Sequence, residues 1–185
     1  QHGFARDGVF AIVSIDEYGF IANFVPDERS QASYPFEYTF TVVYRFSELA
    51  FQVSLILEND GPSAIPWAAG HHFYFQLPWR RTLSREDYRI RIPARKVFQY
   101  REGGMLEKVN QFATDTAFSD PGLVNRIHYE LENPEVTFGP ANGEELVSVA
   151  EIGGAEVGSR LAFITWTEAE DSPFYCVEPW MAPPN

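Results

Sequence analysis

The stretch FEYTFTVVYRFSELAFQVSLIL, residues 36–57, decides the fold class. Apolar or aromatic side chains occupy every second position from 36 to 46, and polar side chains lie between them except at Val43. A similar alternation resumes from 49 to 57, after the short connection Ser47-Glu48. A period of two is the signature of a β-strand with one buried face. Two such runs with a short connection predict an antiparallel hairpin.

Much of the remaining chain consists of short runs rich in β-branched and aromatic residues, separated by turn residues. Further strands are predicted at 9–15, 69–77, 88–92, 96–100, 126–131, 136–138, 146–152, 161–167 and 174–178. The run 161–166 is apolar on both faces, which is typical of a central strand. Only segment 104–112 suggests a short helical turn. The pattern predicts an all-β chain, a large and curved antiparallel β-sandwich that forms one domain over residues 1–185.

The composition argues against several classes of function. A formal net charge of -12 disfavours nucleic acid and anionic membranes as partners, because binding to polyanions needs clustered Lys and Arg. No apolar run approaches the ~20 residues that span a bilayer and no signal peptide is visible, so we expect a cytoplasmic protein without a membrane partner. The one cysteine, Cys176, argues against an internal disulfide and a cysteine-based zinc site.

Glu178 is the one carboxylate in the apolar run FYCVEPW, residues 174–180. A glutamate in such a run is expected to be partly buried, and burial raises a carboxyl pKa toward the range that is useful for proton transfer. A structural glutamate at a strand end, paired with an arginine, explains the same pattern, because buried ion pairs also shift pKa values. Glu178 is therefore a candidate general base whose role depends on its neighbours.

The adjacent histidines His71 and His72 are predicted to point to opposite faces of a strand. His72 shares its face with Tyr74 and Gln76, whereas His71 shares its face with the apolar residues at 73, 75 and 77. His72 is thus the candidate for chemistry, with a merely hydrogen-bonded structural histidine as the alternative. The histidines show no metal-ligand spacing such as H-x-H or HExxH, so no metal site is predicted.

Five segments together resemble the aldose 1-epimerase (galactose mutarotase) family, which includes hexose-6-phosphate mutarotases. They are HGFAR at 2–6, YPF at 34–36, GHHFYF at 70–75, TDTAF at 114–118, and CVEPW at 176–180 followed by PPN at 183–185. The resemblance covers essentially the whole chain and implies the large β-sandwich of that family, the supersandwich. Members of the family continue in both directions with extra strands. We therefore expect this chain to be a segment of a longer polypeptide, truncated at both ends.

The resemblance also implies roles for individual residues. His72 matches the general acid of the family and Glu178 its general base. His2 and Arg6 match sugar-contacting groups, and Asp115 matches an aspartate that holds ring hydroxyls, although local sequence alone favours a turn residue there. Many phosphate-sugar mutarotases carry an arginine where this chain has Thr116-Ala117, which argues against a sugar phosphate as the substrate.

The residue types suit mutarotation of an aldohexose. A base must take the proton of the anomeric hydroxyl and an acid must protonate the ring oxygen, and Glu178 and His72 on opposite sides of a pocket would supply that pair. The reaction requires neither a metal nor an organic cofactor, and the partner is a small sugar. The alternatives are a hexose-6-phosphate mutarotase, with arginines at 6, 80, 81 and 85 as phosphate ligands, and a non-catalytic carbohydrate-binding module. A lectin does not need the acid–base pair, which favours the enzyme. The sequence does not set the oligomeric state.

Overall fold

The chain was analysed as a computed structural model that describes residues 3–143, 145–153 and 160–182. It divides into two compact units, residues 1–67 and 68–185. Both units are built from antiparallel strands, which confirms the all-β prediction. No helix among the described residues is long and apolar enough to cross a membrane.

The first unit is one sheet, here called sheet A, in which four strands follow one another in chain order. The strands are β1 (Val9–Asp16), β2 (Gly19–Val25), β3 (Tyr38–Phe46) and β4 (Phe51–Asn59), with helix α1 (Glu28–Ser33) between β2 and β3. The predicted hairpin is β3–β4, in which pairing runs from Phe46 opposite Phe51 to Tyr38 opposite Asn59. Its connection is residues 47–50, longer than the sequence pattern indicated. Ala22, Phe24, Phe40 and Val42 form the buried centre of this unit.

The second unit contains the remaining strands. In chain order they are β5 (Tyr74–Gln76), β6 (Tyr88–Arg91), β7 (Ala94–Tyr100), β8 (Leu106–Val109), β9 (Asp115–Ala117), β10 (Arg126–Leu131), β11 (Glu135–Pro140), β12 (Val147–Ala150), β13 (Ala162–Trp166) and β14 (Phe174–Trp180). Sheet B has the order β5-β14-β13-β10-β7-β8, and sheet C has the order β12-β11-β6-β9. Short 3₁₀ turns lie at Arg85–Asp87, Glu102–Gly104 and Pro121–Leu123.

Sheets B and C of the second unit pack face to face around one core. Sheet B contributes Val97, Phe163 and Val177, and sheet C contributes Ile90 and Phe138, all of them at most 1% exposed. This two-layer packing confirms the β-sandwich. Because alternate residues of a strand point to opposite faces, the same packing fixes which side chains lie on the outer face of sheet B, away from the core.

Three local predictions differ from the structure. The helical turn predicted at 104–112 is wrong, since β8 pairs with β7 there. Asp115 lies in the short strand β9 instead of a turn. The regular part of the strand predicted at 69–77 is only β5, although Gly70 still bridges Trp180 and the His71 N–H donates to the Pro179 carbonyl. These segments are extended because a neighbouring strand pairs with them. The sequence did not predict this, since so short a run shows little period-two alternation of its own.

Candidate active site

Strand β14 places Glu178 on the outer face of sheet B. Tyr175 and Val177 point into the core between the sheets, so Cys176 and Glu178 point the other way. The register with β13 sets Trp166 opposite Cys176 and Ile164 opposite Glu178. An apolar β14 in the interior of a sheet thus carries one carboxyl group, and its side chain is 3% exposed.

His72 contacts this carboxyl group directly. Its Nε2 atom lies 3.2 Å from Oε1 of Glu178, and its side chain is 31% exposed. The His72 ring stacks on Tyr74, with centroids 4.8 Å apart, and meets Trp166 edge-on. His71 instead stacks on Phe73, which packs against the core. The segment before β5 therefore directs the two histidines as strand alternation requires, with His72 toward Glu178.

Burial shifts the protonation of the site. Loss of hydration disfavours the charged carboxylate and raises the pKa of Glu178 to about 7, while the indole N–H of Trp180 opposes that shift by donating to Oε2 at 3.1 Å. A carboxyl group with such a pKa exchanges a proton readily near neutral pH. Burial, with a smaller contribution from His72, lowers the pKa of His71 to about 4, so His71 is neutral near pH 7.

Gly70 lets the segment that carries His72 approach β14 closely. A Cβ atom at this position would lie 2.9 Å from Cδ1 and Cγ of the Trp180 ring and 3.0 Å from the Pro179 carbonyl oxygen. Such distances leave no room for a side chain. The absence of a side chain at Gly70 therefore helps to keep the Trp180 indole where it donates to Glu178.

Sequence reasoning missed three neighbours of the pair. Cys176 is fully buried on the same face, and burial followed by the Glu178 charge raises the pKa of its thiol to about 12. Trp166 and Phe174 form an aromatic wall beside His72 and Tyr74. The i, i+2 spacing could have placed Cys176 beside Glu178, but Trp166 is brought there by strand register, which the sequence does not show.

The side chains of His72, Cys176 and Glu178 form a cluster of potential metal ligands. Their ligand atoms all lie within 4.8 Å of one another. The sequence analysis predicted no metal site because the spacing along the chain showed none. The cluster instead depends on two neighbouring parts of the sheet, residue 72 and β14, which are far apart in sequence.

The other predicted site residues lie elsewhere. Asp115 is on the outward face of sheet C, where its Oδ1 is 2.5 Å from Nε of Arg89, so the structure does not bring it to the His72–Glu178 pair. Arg6 belongs to the first unit, is exposed, and lies 3.8 Å from Asp7. His2 lies outside the described residues.

Two of the arginines considered as phosphate ligands are engaged with the protein. Arg80 binds Glu145 through Nε and Nη2. Arg85 donates to the Thr167 hydroxyl and to the carbonyls of 169, 172 and 174, with its guanidinium over the Tyr175 ring. Arg85 also lines a cavity of about 600 Å³ in the second unit, together with Asp120 and Tyr175. Neither His72 nor Glu178 lines this cavity.

Comparison with known proteins identifies the family. The sequence model of the aldose 1-epimerase family matches residues 1–147. The chain belongs to the aldose 1-epimerase family. The matched range includes His72 and ends before β14, the strand that carries Glu178. Comparison with curated proteins gives no significant match.

Several solved structures have a similar fold, and two of the three described next carry galactose mutarotase names. A galactose mutarotase related enzyme from Lactobacillus acidophilus aligns with 98% of this chain at 21% identity and a TM-score of 0.78. A galactose mutarotase-like protein from Lactobacillus casei covers 97% at 21% identity, with a TM-score of 0.69. A Synechocystis protein covers 100% at 18% identity, with a TM-score of 0.76. The alignments span 62%, 63% and 60% of those chains, so this chain has less than two thirds of their length.

Proposed function

We propose that the protein is an aldose 1-epimerase that interconverts the α and β anomers of an aldohexose by general acid–base catalysis. The observation that carries the proposal is the contact between His72 and Glu178, 3.2 Å apart on the outer face of sheet B. Burial brings the pKa of the carboxyl group to about 7, where it serves as a base near neutral pH. Membership of the family supports the same reaction.

In this mechanism Glu178 takes the proton of the anomeric hydroxyl while His72 protonates the ring oxygen, and the C1–ring oxygen bond breaks. Rotation about the C1–C2 bond of the open aldehyde exposes its other face. The hydroxyl at C5 then attacks C1, returning its proton to His72, while Glu178 returns a proton to the carbonyl oxygen. Each proton transfer contributes typically about 10²–10⁴-fold to the rate. The residues end in their starting states, as an isomerase requires.

The placement of the pair differs from the sequence-based expectation of an acid and a base on opposite sides of a pocket. His72 and Glu178 lie side by side because residue 72 runs next to β14. A side-by-side pair still suits the reaction, since the hydroxyl and ring oxygens that exchange protons are both bonded to C1. The aromatic wall of Trp166 and Phe174, together with the neighbouring Tyr74, offers apolar surface for the sugar ring.

A free sugar is the preferred substrate in this proposal. Arg80 and Arg85 already bind protein groups, which leaves them poorly placed to hold a phosphate. Two alternatives are tested against this proposal: a mutarotase that acts on hexose 6-phosphates, and a carbohydrate-binding module without catalytic activity.

Polarimetry on freshly dissolved α-D-glucose and α-D-galactose, with and without the 6-phosphate, tests the proposal. The chain should accelerate the approach to anomeric equilibrium. Glu178→Gln and His72→Asn should each lower kcat by about 10²–10⁴-fold. The matched controls are Glu170→Gln, which removes a carboxylate from an exposed loop, and His71→Asn, which alters the adjacent histidine and should change kcat little.

The outcomes separate the candidate functions. Turnover of phosphorylated sugars alone would identify a hexose-6-phosphate mutarotase. Sugar binding measured by calorimetry without any acceleration would favour a carbohydrate-binding module. Retention of more than about a tenth of the wild-type kcat by Glu178→Gln would remove Glu178 as the general base, since that loss is below the usual range.

A further inference from the structure

We propose that His72, Cys176 and Glu178 form a binding site for a zinc ion, and that zinc bound there blocks mutarotation. The cluster has the ligand composition of a zinc site. Imidazole nitrogen, thiolate sulfur and carboxylate oxygen are the three donor types that Zn²⁺ takes in proteins. Mg²⁺ and Ca²⁺ prefer sites made of oxygen alone, so the sulfur and nitrogen donors select against them.

The geometry is close to that of a tetrahedral site. Zinc–ligand bonds of about 2.0–2.3 Å place tetrahedral ligand atoms roughly 3.3–3.7 Å apart. His72 Nε2 and Glu178 Oε1 are already 3.2 Å apart, and all three ligand atoms lie within 4.8 Å of one another. A side-chain adjustment of about 1 Å at most therefore brings the sulfur into range. Such a movement needs only a small rotation of the side-chain torsions within their present rotamers.

The fold holds the ligands in place before an ion arrives. Cys176 and Glu178 are two residues apart on one face of β14, where the pairing of 162–166 with 176–180 fixes their spacing. The indole of Trp180 orients the carboxyl group by donating to Oε2 and leaves Oε1 toward His72. Neighbours that hold metal ligands in position in this way strengthen binding. The His72 side chain is 31% exposed, so an ion from solvent can reach this ligand first.

Binding requires the site to lose protons. Zn²⁺ takes the lone pair of His72 Nε2, the Glu178 carboxylate and the Cys176 thiolate, and the thiol proton passes to solvent together with the carboxyl proton when one is present. The three protein ligands leave a fourth position for water. The inhibitory part of the inference rests on the proposed function: the bound ion occupies the nitrogen and oxygen atoms that would exchange protons with the sugar.

Cobalt spectroscopy on metal-free, untagged protein tests the coordination. One equivalent of Co²⁺ should produce a thiolate-to-cobalt charge-transfer band and the intense visible bands of a four-coordinate ion, and Zn²⁺ should abolish both by displacement. The chain contains one cysteine, so the charge-transfer band reports Cys176 without any substitution. Cys176→Ser should lose the band and weaken zinc binding by more than about tenfold. His71→Asn, the matched control, should keep both.

Activity assays test the consequence. Equimolar Zn²⁺ should abolish the acceleration of mutarotation, a chelator should restore it, and Mg²⁺ at the same concentration should have no effect. In Cys176→Ser the ratio of activities with and without equimolar zinc should rise toward one.

The spectroscopic and activity experiments can contradict the metal site, its inhibitory role and the proposed function independently of one another. Absence of the charge-transfer band in the unsubstituted chain, or zinc binding of equal strength in Cys176→Ser, would overturn the metal site. A chain that binds Co²⁺ through its thiol but never accelerates mutarotation would keep the metal site and refute the proposed function. Full activity in zinc-saturated protein would overturn the inhibitory role.

Discussion

A buried carboxyl group whose pKa lies near neutrality makes the stability of the fold depend on pH. Glu178 has a pKa of about 7 in the fold, against an ordinary value of 4.5. Between these values the folded chain holds more protons at this site than the unfolded chain does. The free energy of unfolding therefore falls as pH rises through this window.

Glu178→Gln should relieve this cost. We expect the variant to gain up to about 3 kcal/mol over the wild type at pH 8 and nothing from this source at pH 4, because only the ionised form is penalised. Urea unfolding at both pH values measures the difference. Glu170→Gln, on an exposed loop, should show no such contrast. Equal effects of Glu178→Gln at pH 4 and pH 8 would mean that ionisation of the Glu178 carboxyl group does not destabilise the fold.

Gly70→Ala should act on Glu178 through Trp180. The new methyl group needs the space of the Trp180 ring, and such overpacking costs typically about 1–3 kcal/mol. Displacing the indole also removes the N–H that lowers the Glu178 pKa. The acid limb of the pH profile of kcat/KM should therefore move to higher pH.

Gly61→Ala is the control for that substitution, since the nearest atoms to a Cβ there are at an ordinary 3.7 Å. It should leave the profile unchanged and raise the free energy of unfolding by about 0.4–1 kcal/mol, the opposite direction from Gly70→Ala. An unshifted profile in Gly70→Ala, with the expected loss of stability, would show that Trp180 does not tune the carboxyl group.

At the residue scale, the sequence predicts which residues are candidates for the site better than it predicts which residues contact them. Glu178 stands out as a lone carboxylate in an apolar run, and strand alternation separates His72 from His71. The contact between His72 and Glu178 depends on how the segment before β5 pairs with β14. The position of Trp166 depends on the register of β13 with β14. Neither pairing has a local signal, because partner strands are chosen by the packing of the whole sandwich.

Among the strands, β10 carries a second buried group that titrates. His128 is 3% exposed, and its Nε2 lies 3.3 Å from the Thr165 hydroxyl. Burial lowers its pKa from 6.5 to about 3, with a smaller contribution from Arg126. Between pH 3 and pH 6.5 the unfolded chain binds a proton at His128, whereas the folded chain does not. Stability should therefore be complete above pH 6.5 and decline as the pH falls toward 3.

His128→Gln should flatten that decline. Glutamine can still hydrogen-bond to Thr165 but does not titrate, so the loss of unfolding free energy between pH 7 and pH 5 should be smaller than in the wild type. Urea unfolding of both proteins at the two pH values measures the slope, whatever the variant loses in absolute stability. An unchanged slope would indicate that His128 is already charged in the folded chain.

Strand prediction succeeded at the long alternation of 36–57 and missed β2, β8 and β9. In β2 the period of two is obscured because Ile21 and Val25 are apolar on the side where polar residues are expected. The pattern at 36–57 predicts the β3–β4 hairpin because one face of each run is apolar over several residues. Strands β8 and β9 have only four and three residues, too few to show a period. Helix α1 was missed because it is a single capped turn and a half: Asp27 accepts from the Ser30 N–H and the Ser30 hydroxyl reaches back to the Asp27 N–H.

For the molecule as a whole, the β1 edge of sheet A is a surface that favours association. Strand β1 lies at this edge and exposes apolar side chains, among them Val13 at 60% and Ile15 at 76%. Unpaired backbone groups beside exposed apolar side chains provide a template for strand addition. We expect the 185-residue chain to self-associate in a concentration-dependent way.

Ile15→Lys should reduce this association, because a charged side chain on an edge strand opposes pairing. Sedimentation velocity over a range of protein concentrations gives the distribution of species. Ser63→Lys adds the same charge at an exposed loop position and should leave the distribution unchanged. A wild-type chain that stays monomeric at every concentration would refute the assignment of this edge as an association surface.

The single buried thiol at Cys176 also makes the chain its own probe of local motion. A fully buried thiol reacts with an alkylating reagent only when β14 opens, so the labelling rate at low reagent concentration reports the free energy of that opening. Because the thiol lies on the same face as Glu178, a sugar that bridges His72 and Glu178 should slow labelling in proportion to its occupancy. Labelling kinetics could thus measure sugar affinity even for a sugar whose two anomers rotate light too similarly for polarimetry.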